Sequence, residues 1–215
     1  MPLFKIKKAE NGEKLGIWQM TESVDELLKM KSFSKKDMVV LNTFSYENRK
    51  KEWLTSRILA EKLSGKNTKI AYDKHNKPIL KGSKNHISIS HSNSLLAVII
   101  DTKETGIDIE LVKPAVIRIK QKFMNEDELS RLEKTNLKEK LTLCWCVKES
   151  LYKYYGKKKL IFKKHLIVEP FSYNKKGAIA ALLDHGSMKK RFELNYEKIG
   201  VQKQNFILAY IVKEV

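Results

Sequence analysis

Apolar and polar positions change period several times along the chain, and each change marks an element. Short alternating runs from Phe4 to Lys7 and from Leu15 to Met20 predict two strands. Thr21 or Ser23 then supplies an N-cap for a short helix through Leu27 and Leu28. From about Tyr46 to Leu63 the period lengthens to that of a helix. Trp53, Leu54, Ile58 and Leu63 fall near one face, Arg49, Lys50, Arg57 and Glu61 on the opposite one, and Gly65 is a natural stop. Lys66 to Lys84 is polar, is broken by Pro78 and Gly82, and reads as a loop with one short strand at Ile70 to Tyr72. The runs His86 to Ser90 and Leu95 to Asp101 predict a hairpin whose turn is His91-Ser92-Asn93-Ser94. Thr105 to Leu111 is a further strand, after which Pro114 ends this sheet section.

In the second half, Asn125 and Glu128 form a capping box ahead of Leu129 and Leu132. Leu137 to Tyr155 is the strongest helix there, with Gly156 as its terminator. Leu141, Cys144, Trp145, Lys148 and Tyr152 share a side, and a lysine stem laid along that side can snorkel to solvent. The remainder predicts strands at Leu166 to Val168, Ala178 to Leu183, Arg191 to Tyr196 and Phe206 to Val212. Helices and strands mixed in this way predict an α+β fold. The weakest place in the chain lies near Asp101 to Thr105, so the expected division is an N-terminal lobe over 1–103 and a C-terminal lobe over 104–215.

Composition narrows the picture. A chain of 215 residues with 42% hydrophobic content builds a real core and is not globally disordered. Its formal charge of +18 attracts polyanions: nucleic acid, an anionic membrane, a phosphate-rich cofactor or an acidic protein. Charge alone does not choose among them, and lysine richness also serves solubility. The longest apolar run, Leu95 to Ile100, is far too short to span a bilayer, and the first residues lack a signal-peptide core. The expectation is a soluble, cytoplasmic protein that does not contact membrane. Cys144 and Cys146 agree with a reducing compartment and read as buried, inert thiols on a core helix.

Several residues carry candidate chemistry. Two residues apart on a strand point the same way, so Asp108 and Glu110 share a face while Ile107 and Ile109 face the core. Adjacent carboxylates tolerate one another readily with a cation between them, although two solvated acids on an open sheet face look the same. Glu149 and Lys153 stand one helical turn apart, a spacing shared by ordinary surface ion pairs. His91 sits between Ser90 and Ser92, where it can either donate to a phosphate or fix a turn. Lys77 precedes Pro78, which restricts its backbone to an extended form. The chain has no Walker loop, Rossmann fingerprint or nucleophile elbow.

Taken in order, Ile87-Ser88-Ile89-Ser90-His91-Ser92, Gly106-Ile107-Asp108-Ile109-Glu110 and Trp145 through Lys153 form a combination more specific than its parts. It resembles the 4′-phosphopantetheinyl transferase superfamily, and the length suggests the larger surfactin-synthetase-activator (Sfp) type. The resemblance implies two similar lobes related by a pseudo-two-fold, each a small, mainly antiparallel sheet packed with helices. It implies transfer of the phosphopantetheine arm of coenzyme A to a serine of an acidic apo acyl or peptidyl carrier protein, releasing adenosine 3′,5′-bisphosphate. Asp108, Glu110 and Glu149 would ligate Mg2+, and Glu149 or a water on the metal would accept the serine proton. Lys153 would bind the pyrophosphate and aid the leaving group. Ser90 and His91 would contact a coenzyme A phosphate. Lys77 matches the lysine of a Gly-Lys-Pro motif near the adenosine and its 3′-phosphate, with Asn76 in place of the glycine. Arg49 or Arg57 would reach the 3′-phosphate. A single chain would work alone. The competing readings are a Mg2+-dependent nuclease and a basic nucleic-acid-binding module. The resemblance makes nucleic acid the less favoured partner, because an acidic carrier protein already accounts for the charge.

Overall fold

Among the described residues, backbone pairing divides the strands into two antiparallel sheets that share no ladder. The computed structural model describes residues 5–8, 12–65, 68–157 and 159–215. Its N-terminal half runs β1 (Lys5–Lys8), β2 (Lys14–Gln19), α1 (Val24–Lys29), α2 (Lys35–Asn42), α3 (Glu47–Ser64), β3 (Ile70–Tyr72), β4 (Pro78–Leu80), β5 (His86–Ser92) and β6 (Leu95–Asp101). Its C-terminal half runs β7 (Ile107–Leu111), α4 (Ala115–Phe123), α5 (Glu126–Ser130), α6 (Leu137–Tyr155), α7 (Phe162–His165), β8 (Leu166–Val168), β9 (Lys176–His185), β10 (Met188–Val201) and β11 (Gln204–Glu214). The first sheet has the order β1-β2-β6-β5-β4-β3 and the second β7-β11-β10-β9-β8. This is the α+β arrangement that the hydrophobic pattern predicts. Phe4, the first residue of the first predicted strand, lies outside the described residues.

Three buried clusters hold these parts together. Leu54, Ile58 and Leu59 of α3 pack with Leu27, Leu41 and one face of the first sheet. Leu143, Val147 and Leu151 of α6 pack with Phe123 and the inner face of the second sheet. A third cluster lies between the sheets, joining Leu15, Ile17, Leu95, Ala97 and Ile99 to Ile107, Ile109, Phe206 and Leu208. β6 is central to the arrangement. Leu96, Val98 and Ile100 point to the helices, while Leu95, Ala97 and Ile99 point to the other sheet. Burial on both faces explains why this strand reads as a continuous apolar run.

Several expectations change. β5 continues through Ser92, so the hairpin turn is only Asn93-Ser94, with Asn93 left-handed at φ 54°. His91 therefore belongs to the strand and not to the turn. The predicted loop between residues 66 and 84 contains β4, which pairs with β3 through Ile70 and Leu80 and with β5 through Ile79 and His86. Pro78 is tolerated because it is the first residue of its strand. α2 has a capping box from Ser34 and Asp37, but Val39 and Val40 face solvent, which blurs the apolar stripe that would announce it. α4 follows Pro114 directly; a proline that closes a strand also opens a helix well.

Lys148 does not snorkel. It is fully buried, and its amine donates to Glu128 Oε2 and to the Phe123 carbonyl, each at 2.7 Å. Glu128 also closes the Asn125 capping box and accepts from Val168 N–H at 2.8 Å. One buried ion pair thus ties α5, α6 and β8 into a single packing unit. Both cysteines are free and buried, and burial pushes the Cys144 thiol up to about 12, as expected of inert core thiols. No helix among the described residues is long and apolar enough to cross a membrane.

Candidate active site at the seam between the sheets

The two sheets meet along β5 and β7 through side chains instead of a backbone ladder. Ser88, Ser90 and Ser92 alternate along β5, so their hydroxyls point the same way. They accept the N–H groups of Ile107, Ile109 and Leu111 at 3.1, 3.3 and 3.1 Å. Two of the same hydroxyls donate onward, Ser90 to Asp108 Oδ1 at 2.6 Å and Ser92 to Glu110 Oε2 at 2.7 Å. Each serine therefore satisfies a β7 amide, and two of them also orient a carboxylate. The period of two that placed Asp108 and Glu110 on one face is matched by the same period in the serines.

The carboxylates meet α6 because β7 approaches that helix very closely. A Cβ on Gly106 would lie 2.0 Å from the Ser150 carbonyl oxygen, so only glycine fits there. The approach brings Lys153 to β7, where its amine donates to Asp108 Oδ1 at 2.7 Å and to the Ile107 carbonyl at 3.0 Å. Lys153 is thus the partner of a strand carboxylate and not of Glu149, its neighbour one turn back. The Glu149 carboxyl makes no hydrogen bond to the described residues, and burial, with Asp108 and Glu110 nearby, pushes it up to about 7. Glu110 is also raised, by burial first and by Asp108 second. Asp108 is only 2% exposed, and its Oδ2 is buried with no hydrogen-bond partner.

These acids share an electrostatic field without forming a finished cation shell. Among the described residues, no three of the His, Cys, Asp and Glu side chains are grouped closely enough to hold a metal as they stand. The donor set nevertheless suits a hard divalent cation. It consists of carboxylate oxygens, two of the acids are strained toward their neutral form by burial and mutual repulsion, and one oxygen is buried without a partner. Lys153 supplies the counter-charge in the described state.

His91 lies at the end of β5, with its Nδ1 3.2 Å from Glu52 Oε1 and its Nε2 3.4 Å from Arg49 Nη1. Arg49 also donates to Glu52 at 2.9 Å. Burial lowers the His91 pKa, and the nearby Arg49 and Lys153 charges add to this against the pull of Glu52. The structure therefore brings Arg49 and His91 together and adds Glu52, which the sequence reading did not single out. Its only signal was its place three residues after Arg49 on α3. Arg57 goes elsewhere. It is buried, its guanidinium lies 3.5 Å from the centre of the Trp53 ring, and it donates to the Trp53 carbonyl, with no hydrogen bond to His91 among the described residues. Ser90 is buried, with its hydroxyl engaged by Asp108 and Ile109.

An open cleft of about 250 Å³ runs beside the seam, lined by Lys77, Pro78, Ile87, Ile89, Tyr152 and Lys153 among others. Lys77 contributes its stem to this cleft. Its amine is bound to Glu104 Oε2 at 2.5 Å and to the Tyr154 carbonyl at 2.8 Å. Asn76, in the place of a motif glycine, takes the left-handed conformation at φ 67° that a glycine would also supply.

The family model described as 4′-phosphopantetheinyl transferase superfamily matches residues 104–210. A 4′-phosphopantetheinyl transferase of Bacillus subtilis is 36% identical over 75 residues, 34% of this chain and 34% of the relative. The 4′-phosphopantetheinyl transferase Sfp of Bacillus subtilis (strain 168) is 35% identical over 75 residues, again 34% of each chain. The matched segment thus spans about a third of the length of these curated relatives. The family match begins at Glu104 and takes in the whole β7 and α6 arrangement of Asp108, Glu110, Glu149 and Lys153. On this agreement between matched segment and site geometry, the chain belongs to the 4′-phosphopantetheinyl transferase superfamily.

Proposed function

We propose that this protein transfers the 4′-phosphopantetheine arm of coenzyme A to a serine of an acidic apo carrier protein, releasing adenosine 3′,5′-bisphosphate. The observation that carries the reading is the approach of Asp108 and Glu110 on β7 to Glu149 and Lys153 on α6 beside an open cleft. The two-lobed reading divides the chain at 103/104 with a pseudo-two-fold between the halves; α3 against the first sheet and α6 against the second support it.

Asp108, Glu110 and Glu149 would hold Mg2+, which neutralises the charge that develops on a pyrophosphate as it is cleaved. The chain's own residues do the rest. Lys153 stands at Asp108 with its amine facing the acids, where it can pass from Asp108 to a pyrophosphate oxygen. His91 and Arg49 offer donors for a second phosphate, and we place the 3′-phosphate with Arg49 rather than Arg57. Ser90 orients Asp108 instead of touching phosphate. Glu149, or a water on the metal, would take the proton of the attacking serine hydroxyl. That oxygen bonds to the phosphorus carrying the pantetheine arm, and the bond from this phosphorus to the adenosine-side phosphate breaks. The +18 charge steers an acidic carrier to the chain, which acts as a single copy in a reducing, cytoplasmic compartment.

Replacement of Glu149 by Gln tests the roles assigned here. The variant should remain folded, bind coenzyme A, and lose transfer by at least about a hundredfold, the usual weight of a general base. Transfer within a few-fold of the parent would remove Glu149 from the mechanism.

A further inference from the structure

Lys77 and Glu104 are joined to one another and to α6 in a way that the proposed chemistry leaves unused. Lys77 comes from the N-terminal half, just before β4. Glu104 stands in the connection between β6 and β7, and Tyr154 in the last turn of α6. The Lys77 amine donates to Glu104 Oε2 at 2.5 Å and to the Tyr154 carbonyl at 2.8 Å. The other Glu104 oxygen lies 3.1 Å from His86 Nδ1 on β5. The Lys77 stem crosses Gly156, the left-handed residue that ends α6, so closely that a Cβ there would lie 2.5 Å from Lys77 Cδ.

Carbonyls in the last turn of a helix lack intrahelical partners and carry the negative end of its dipole, so a cation there is favourable. An amine already shared between a carbonyl and a carboxylate is poorly placed to read a phosphate. An incoming dianion meets the Glu104 charge beside it and must break two hydrogen bonds to gain one partner. We propose that Lys77 and Glu104 form a clasp between the halves of the molecule, holding the end of α6, and with it Lys153, against the cleft. Lys77 is then a positioning residue and not a ligand of the 3′-phosphate. This rests on the coenzyme A reading above, because the cleft is taken as the nucleotide site.

The clasp makes a specific demand. Coenzyme A and 3′-dephospho-coenzyme A should suffer alike when it is opened. Wild type, Lys77→Met, Glu104→Gln and the double variant are compared by calorimetric binding of both ligands with Mg2+. Ligand-free hydrogen exchange over residues 150–157 is measured in parallel. The expected result is faster exchange in both single variants and weaker binding of both ligands by the same factor. That factor should be on the order of threefold to fivefold, the size of a half-exposed ion pair, and the double variant should be no worse than Lys77→Met. Loss confined to the 3′-phosphorylated ligand in Lys77→Met, with Glu104→Gln neutral or tighter, would overturn the clasp and return Lys77 to the phosphate. A wild type that binds neither ligand would contradict the coenzyme A reading itself. In that case exchange still decides, and unchanged exchange over the end of α6 would overturn the clasp independently.

Discussion

Glu149 costs the fold stability in its charged form, and the sign of that cost can be followed with pH. Its carboxyl titrates near 7 in the folded protein against an ordinary value of 4.5, so the native state holds the proton more tightly than the unfolded chain. Stability is then highest below about pH 4.5 as far as this group is concerned, falls as pH rises toward 7, and stays low above it. In chelator, Glu149→Gln should be more stable than the parent at pH 8 by about 1–3 kcal/mol, with little difference near pH 4.5, measured by urea unfolding. On the proposed metal assignment Mg2+ would compete with the same proton, so its stabilising effect should be larger at pH 8 than at pH 6. A variant less stable than the parent at pH 8 would contradict the strained-acid description. Lys148 behaves in the opposite way. Burial lowers its pKa, yet its pairing with Glu128 and the Phe123 carbonyl keeps it in the core. Lys148→Met leaves Glu128 charged and short of a partner, and should cost about 3–5 kcal/mol in unfolding free energy. The sequence offered no sign of this. Lys148 and Glu128 are far apart in the chain, and a lysine on an apolar helix side is more often a snorkelling residue than a buried one.

At the scale of elements, the approach of β7 to α6 decides whether the acids meet. Gly106→Ala pushes a methyl group into the Ser150 carbonyl and must part the two elements. The expected cost is about 1–3 kcal/mol of overpacking, together with lost Mg2+ affinity that calorimetry would detect. A variant with wild-type melting and wild-type metal binding would show that the close packing is not what aligns the site. The period of two along β7 and of 3.6 along α6 made the shared face of Asp108 and Glu110 and the turn-related Glu149 and Lys153 legible in the sequence. Their true pairing was not, because Lys153 reaches across to Asp108 only once Gly106 has closed the gap. The same holds for the serines of β5. Their alternation was visible, while their role in stitching two sheets required the second sheet to be in place. α2 and α4 escaped for a local reason: outward-facing Val39 and Val40 in one, a proline at the start of the other.

For the whole molecule, packing of the two halves places a cleft between β4 and β5 of the first sheet and the end of α6, which neither half forms alone. The α+β class and most strands followed from periodicity, whereas the cleft depended on which sheets pair and which only touch. The surplus of positive charge acts at this scale too. Raising salt from about 50 to 500 mM should weaken an acidic carrier's apparent KM several-fold while changing kcat little, since screening acts on encounter and not on the buried acids. The central claim is most directly tested by mass spectrometry of an apo carrier protein incubated with this protein, coenzyme A and Mg2+. The account predicts that the carrier gains the mass of one phosphopantetheine arm, that adenosine 3′,5′-bisphosphate appears in equal amount, and that Asp108→Ala abolishes both. No gain on any of several acidic carriers, with DNA cleaved by the same preparation, would contradict it.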